Sequence, residues 1–223
     1  MKIFFKTFFI SFCMFLLLSS STLGCHKSIQ EDISSIVSET RENFFMGKSD
    51  NCIVTFTDGR REQDYKMDGI HTKPTPYGVI VLRVEEDLGT APEYQLFVGE
   101  KTYCGTLEIN PFDMTYVADI GEKVGNIDKI TFVLPDNYMS LELTNLSNNW
   151  SVSCSKALDI FVNKQQSSLA RFYNNDALDG EVFIKIVQNN NSSDIFYYVL
   201  FVAHSTEVVA SLIDVSTGQI VQQ

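Results

Sequence analysis

Four carboxylates crowd one short stretch of the chain, Asp58, Glu62, Asp64 and Asp68, and a second acidic run, Glu85-Glu86-Asp87, lies further along. Paired carboxylates serve two chemistries. In glycoside hydrolysis one acts as acid and the other as base or nucleophile, and calcium is held by several such oxygens at once. The local pattern argues for a plainer role. Asp58-Gly59 is a dipeptide suited to a two-residue turn. Beyond it Glu62 and Asp64 alternate with Arg61, Gln63 and Tyr65, as the solvent side of a strand does. No D-x-[DN]-x-[DN]-G loop occurs. A hydrolase working through the carboxylates of a 58–68 hairpin therefore stands as an alternative only.

The other reactive residue types are sparse. Of the three histidines, His26, His71 and His204, none has a second His or a Cys at ligand spacing, so no zinc site is expected and turn positions in water suit them. The five cysteines, Cys13, Cys25, Cys52, Cys104 and Cys154, contain no C-x-x-C pair. Cys52, Cys104 and Cys154 each lie in or beside an apolar strand or a helix start, where a free thiol acts as a small buried hydrophobe. With Cys13 and Cys25 set aside these three could form at most one disulfide, and buried thiols are the expectation. A nucleophile dyad of one of them with His71 or His204 has no spacing in its favour. There is no G-x-S-x-G elbow, and Gly47-Lys48-Ser49 lacks the upstream glycine of a phosphate loop. No catalytic, cofactor-binding or metal-binding residue is assigned, and no cofactor is expected.

Bulk properties narrow the partners. The chain has 223 residues, 44% hydrophobic and 12% aromatic, with 17 Phe and 9 Tyr, enough to fill a packed core and far from a disordered composition. Its formal charge is −11. So acidic a chain repels nucleic acid phosphates and anionic headgroups, and its one basic doublet, Arg60-Arg61, runs at once into Glu62 and Asp64. Nucleic acid is excluded as a partner.

The amino terminus reads as an address. Lys2 and Lys6 give a positive end without acids, Thr7 to Leu18 is uncharged and apolar, and Ser19 to Gly24 is small or polar. That order is a secretory signal, too short to span a membrane at roughly 20 apolar residues per crossing. The segment Thr22-Leu23-Gly24-Cys25 resembles a bacterial lipobox, which implies a cut before Cys25 and a diacylglyceryl group on that cysteine. The expected organisation is a signal peptide over 1–24, a lipid tether over 25–27, a helix plus antiparallel β domain over 28–149, and a final module over 150–223.

The elements that would position these residues follow from periodicity. Ser28-Ile29-Gln30-Glu31 is a capping box, and Ile33, Ile36, Val37, Thr40 and Phe44 continue at helical spacing to Gly47, predicting a helix over 29–46. Cys52–Thr57, Asp58-Gly59 and Arg60–Met67 predict a hairpin. Further strands are expected over 77–84, 94–98, 106–109, 129–134 and 138–144. After the polar stretch Asn145–Asn149, the apolar positions Leu158, Phe161, Val162, Leu169 and Phe172 predict a second helix, then strands over 181–187, 195–203, 206–213 and 219–221. The ending Ile213-Asp214-Val215-Ser216-Thr217-Gly218-Gln219-Ile220-Val221, after the Tyr-rich strand 197–202, resembles the close of PepSY modules. These pack one helix on an antiparallel sheet and carry no catalytic residues. The expected fold class is α+β, with an N-terminal helix on an antiparallel sheet or sandwich and then a helix on a three- to four-stranded antiparallel sheet. The expected function is that of a cell-surface lipoprotein, anchored at Cys25 outside the cytoplasmic membrane, that binds a protein, peptide or surface polymer without catalysis. A peptidase inhibitor or chaperone-like envelope protein is the alternative the PepSY resemblance implies.

Overall fold

The computed structural model describes residues 29–63, 72–85, 88, 90–135, 139–175, 177–189 and 194–221. Strands dominate it. A short helix α1 (Ile29–Ser35) leads into β1 (Val37–Lys48), β2 (Cys52–Arg61), β3 (Thr75–Val84), β4 (Glu93–Val98), β5 (Lys101–Thr106), β6 (Glu108–Ile109), β7 (Tyr116–Asp119), β8 (Lys129–Leu134) and β9 (Met139–Asn145). A 3-10 turn (Leu146–Asn149) joins these to the long helix α2 (Cys154–Leu169). After it come the two-residue strands β10 (Tyr173–Asn174) and β11 (Ala177–Leu178), then β12 (Gly180–Gln188), β13 (Ile195–Ala203), β14 (Val208–Asp214) and β15 (Ile220–Val221).

The strand ladders make a circuit. β1 pairs β2, β2 pairs β3, β3 pairs β7 and β7 pairs β6. On the other side β1 pairs β9, β9 pairs β8, β8 pairs β4 and β4 pairs β5. One residue, Leu107, separates β5 from β6, so the two are halves of a bent strand that leaves one neighbour for another. Every pair in the circuit is antiparallel, and the result is a nearly closed barrel. Leu107 is fully buried at the bend, where it joins Phe45, Phe56, Leu82, Leu96 and Phe132 in the barrel's interior. Filling by side chains, rather than an empty lumen, is what a barrel of this size allows.

A second sheet grows from β1. Its first residues pair in parallel with β12 (Val37↔Val182, Thr40↔Ile184), and β12, β13, β14 and β15 continue antiparallel. Helix α2 covers this sheet and buries Leu158, Phe161, Val162 and Leu169 against Val199, Phe201 and Ile213. The molecule thus has two cores, and β1 is a wall of both.

This architecture corrects the α+β expectation. Among the described residues the chain is mostly β, with a nearly closed barrel and one long helix, and no N-terminal helix lies over a sheet. The predicted helix over 29–46 ends at Ser35, and Val37 onward is strand. Its apolar positions fit helical spacing, yet Phe44 and Phe45 both have to be buried, on opposite sides, and only an extended backbone points consecutive side chains to opposite faces. Long-range pairing on both edges of β1 then outweighs local preference. The hairpin turn at Asp58-Gly59 is also absent, because β2 runs straight through it and pairs with β1 and β3 instead. Gly59 serves close approach: a Cβ there would lie 1.9 Å from the Thr40 carbonyl oxygen. Opposite this point β1 bulges, with Arg41 facing Gly59 and Asn43 facing Asp58, so that Glu42 is the extra residue.

Candidate functional site

The fork of β1 creates the principal groove. On one edge, residues 37–40 pair with β12 while Phe45 and Met46 pair with β9. The two partners diverge, so residues 41–44 face neither. A side chain takes up one of the spare amides: Phe44 N–H donates to Ser147 Oγ at 3.4 Å. The gap is a groove of about 790 Å3, walled by β1, by the loop carrying Lys123 and Asn126, by the 3-10 turn and by the start of α2. Its volume falls inside the range of about 300–1,000 Å3 usual for small-ligand sites.

Chain chemistry explains each wall. Ser153 caps α2, its Oγ accepting from Lys156 N–H at 3.3 Å, which sets Cys154 and Ser155 on the first turn beside the groove. Asn145 Oδ1 accepts from Ser147 N–H at 3.1 Å, and its Nδ2 donates to the Ile127 carbonyl at 2.9 Å, so the turn is tied to the Lys123–Asn126 loop. Asp58 fixes the other end of that loop. Its carboxylate, fully buried, accepts from Asn43 Nδ2 at 2.7 Å, Val124 N–H at 2.8 Å and Gly125 N–H at 3.1 Å. Burial lifts the Asp58 carboxyl above its ordinary range, and these three bonds offset only part of that.

Three polar groups converge inside. Lys123 and Glu42 form an ion pair. Tyr197, from β13, lies on the floor at 1% exposure, and its hydroxyl makes no hydrogen bond with any described residue. Burial, with the nearby Cys154 and Glu42, pushes the Tyr197 hydroxyl pKa far up, so it remains a neutral donor and acceptor. Trp150 stands over it, edge-on at 5.6 Å between ring centroids, and stacks against Phe44 at 6.2 Å. Burial and then Glu42 push the Cys154 thiol up to about 12. It stays protonated near neutral pH and is no nucleophile.

Behind β1 sits a second polar cluster with a structural task. Glu39, 4% exposed, accepts from Tyr77 Oη at 2.8 Å and Arg41 Nε at 3.1 Å, and Lys185 Nζ lies 3.7 Å from its other oxygen. Burial alone would raise the Glu39 carboxyl. Arg41, Lys185 and Tyr77 outweigh it and hold the group below its ordinary range. This cluster ties β1 to β3 and β12.

The acids singled out by spacing do not assemble. Asp58 is spent on the loop, and Glu62 is buried with its Oε1 accepting from Thr72 N–H at 3.0 Å. Glu85 is exposed beyond β3. Asp64, Asp68, His71, Glu86, Asp87, Cys25 and His26 lie outside the described residues. His204 Nδ1 pairs with Asp179 Oδ1 at 2.5 Å on a surface turn. Cys52 is buried, its thiol 3.3 Å from Met139 Sδ, Cys104 is exposed, and Cys154 is half-buried; all three are free thiols. Among the described residues no three of His, Cys, Asp and Glu group as metal ligands, and no helix is long and apolar enough to cross a membrane. Sequence reasoning passed over Glu42, Lys123, Asn126, Trp150 and Tyr197. The one available signal was the lone tryptophan set in a run of Asn and Ser from Asn145 to Ser155. No protein-family model, curated protein or solved structure matches the chain.

Proposed function

We propose that the chain is a lipid-anchored module of the cell envelope that binds its ligand, without catalysis, in the groove at the fork of β1. The observation that carries this reading is Tyr197. A hydroxyl on a nearly buried ring, left without a protein partner and turned to a groove of about 790 Å3, is a polar group in wait of a ligand's. The surrounding chemistry agrees with holding rather than reacting. The Cys154 thiol is kept protonated, and the Lys123–Glu42 pair neutralises itself. The address of the reading rests on the signal-like order of residues 1–24 and on Gly24-Cys25. The turn whose residues carry the PepSY resemblance is closed by Asp214 Oδ1, which accepts from Ser216 N–H at 3.0 Å and Thr217 N–H at 2.7 Å, with Gly218 at a φ of +73°.

The test is retention of envelope material by the full-length chain in mild detergent, compared with Ser155→Arg. Ser155 is exposed on the first turn of α2, so the arginine fills the groove from its rim and touches neither core. Wild type should retain a component that Ser155→Arg loses. Equal retention by both would place the ligand elsewhere.

A further inference from the structure

Resting on the assignment of the fork groove as a ligand seat, we infer that what it takes is a neutral glycan, an uncharged hydroxyl-rich chain. Besides the ion pair, the polar residues lining the groove carry amides and hydroxyls: Asn43, Asn148, Ser147 and Ser153 spend part of their capacity on protein partners, and the exposed Asn126 and Ser155 add an amide and a hydroxyl. Such groups both donate and accept, as a sugar hydroxyl does. Tyr197, whose ring is buried, adds a hydroxyl of the same double capacity. Trp150 contributes an aromatic edge and apolar surface against which the C–H face of a sugar ring can rest.

Charge excludes the alternatives on both sides. Among the described residues that line the groove, the ionic groups are Lys123 and Glu42, and they are paired with each other. An anionic ligand would face the Glu42 carboxylate, and a cationic one would have to displace Lys123 from it. A neutral ligand disturbs neither. The fork also disfavours a peptide. Extended peptides dock by adding a strand to an open edge, through main-chain hydrogen bonds. Along the open edge of β1 the Phe44 amide is committed to Ser147, so the ladder a peptide needs is interrupted there.

Trp150 is the only tryptophan in the chain and stands in the groove, so its emission reports occupancy directly. The full-length chain in mild detergent would be titrated with maltotetraose, cellotetraose and N-acetylchitotetraose, with tetragalacturonate, and with a capped alanine-serine peptide, each to about 10 mM. At least one neutral oligosaccharide should change Trp150 emission saturably. Tyr197→Phe, which keeps the ring and its contact with Trp150, should weaken that binding roughly 3- to 10-fold, the worth of one hydrogen bond. Saturation by the peptide or by tetragalacturonate alone overturns the glycan assignment and leaves the groove as ligand seat standing. Saturation by none overturns both. Equal affinity of wild type and Tyr197→Phe for a neutral oligosaccharide overturns the role given to that hydroxyl and with it the inference.

Discussion

Phe44 and Phe45 are consecutive residues of β1 and belong to different cores, Phe44 to the layer under α2 and Phe45 to the barrel interior. The alternation of an extended backbone puts the two rings on opposite faces, and the fork of β1 gives each face its own sheet. Phe45→Ala should cost about 3–5 kcal/mol by emptying the barrel centre. Phe44→Leu should cost less, because much of the volume is kept, but should shift Trp150 emission by removing the ring stacked on it. Denaturant melts of both variants, read by far-UV circular dichroism and by tryptophan emission, check this. Loss of the Trp150 shift in Phe44→Leu would count against the shared-wall account.

Gly59 is held without a side chain by the approach of Thr40. A Cβ would meet the Thr40 carbonyl oxygen at 1.9 Å, and backbone cannot move aside as a flexible side chain can. Gly59→Ala should lose about 3 kcal/mol or more of stability, at the upper end of overpacking. The midpoint of urea unfolding measures it. A variant within error of wild type would show that the bulge at Glu42 can slide.

How much of this was legible in the sequence depends on where each decision is made. Strands such as Lys129–Leu134 and Ile195–Ala203 were readable because their own residues alternate or are uniformly apolar. The start of β1 was not, because Ile33, Ile36 and Val37 satisfy helical spacing and the pairing that makes Val37–Lys48 a strand comes from β2, β9 and β12, all distant in sequence. Asp58-Gly59 carries genuine turn chemistry, and the structure uses both residues differently, the acid to hold Val124 and Gly125 and the glycine to admit β1. The groove escaped for the same reason. Glu42, Lys123, Trp150 and Tyr197 sit on separate elements and meet only through the fork.

Acid should weaken the fold through Glu39. Its folded pKa lies below the ordinary 4.5, so between the two values the unfolded chain binds more protons, and stability present above 4.5 is lost as pH falls through the folded value. Glu39→Gln should flatten the stability profile below pH 4.5 and lower stability at neutral pH by on the order of 2–3 kcal/mol, as charge-assisted bonds to Arg41 and Tyr77 go. Asp58 acts with the opposite sign. Its folded pKa is raised, so its contribution is greatest in acid and declines as pH rises, and Asp58→Asn should not reproduce the flattening. Urea melts across an acid pH series decide between the two.

Thiol reactivity should follow burial. In the native chain a maleimide near neutral pH should label Cys104, which is exposed, and spare Cys154, whose proton is held to about 12. Peptide mapping by mass spectrometry before and after unfolding resolves the sites. Rapid native labelling of Cys154 would show that its thiol is neither shielded nor held protonated.

The anchor has its own test. Changing Cys25 to Ala should abolish fatty-acid incorporation during growth in labelled palmitate and move the protein from the detergent phase to the aqueous phase. Wild type that takes up no label would make this an ordinary secreted protein.

On the proposal that a ligand occupies the fork groove, Trp150, the chain's only tryptophan, stands where the ligand would sit. The direct measurement is the emission of Trp150 in the full-length chain as fractionated envelope extract is added, in wild type and in Ser155→Arg. The account predicts a saturable change in wild type that is absent from Ser155→Arg. If the extract binds both proteins while Trp150 emission stays constant, the ligand sits elsewhere on the chain.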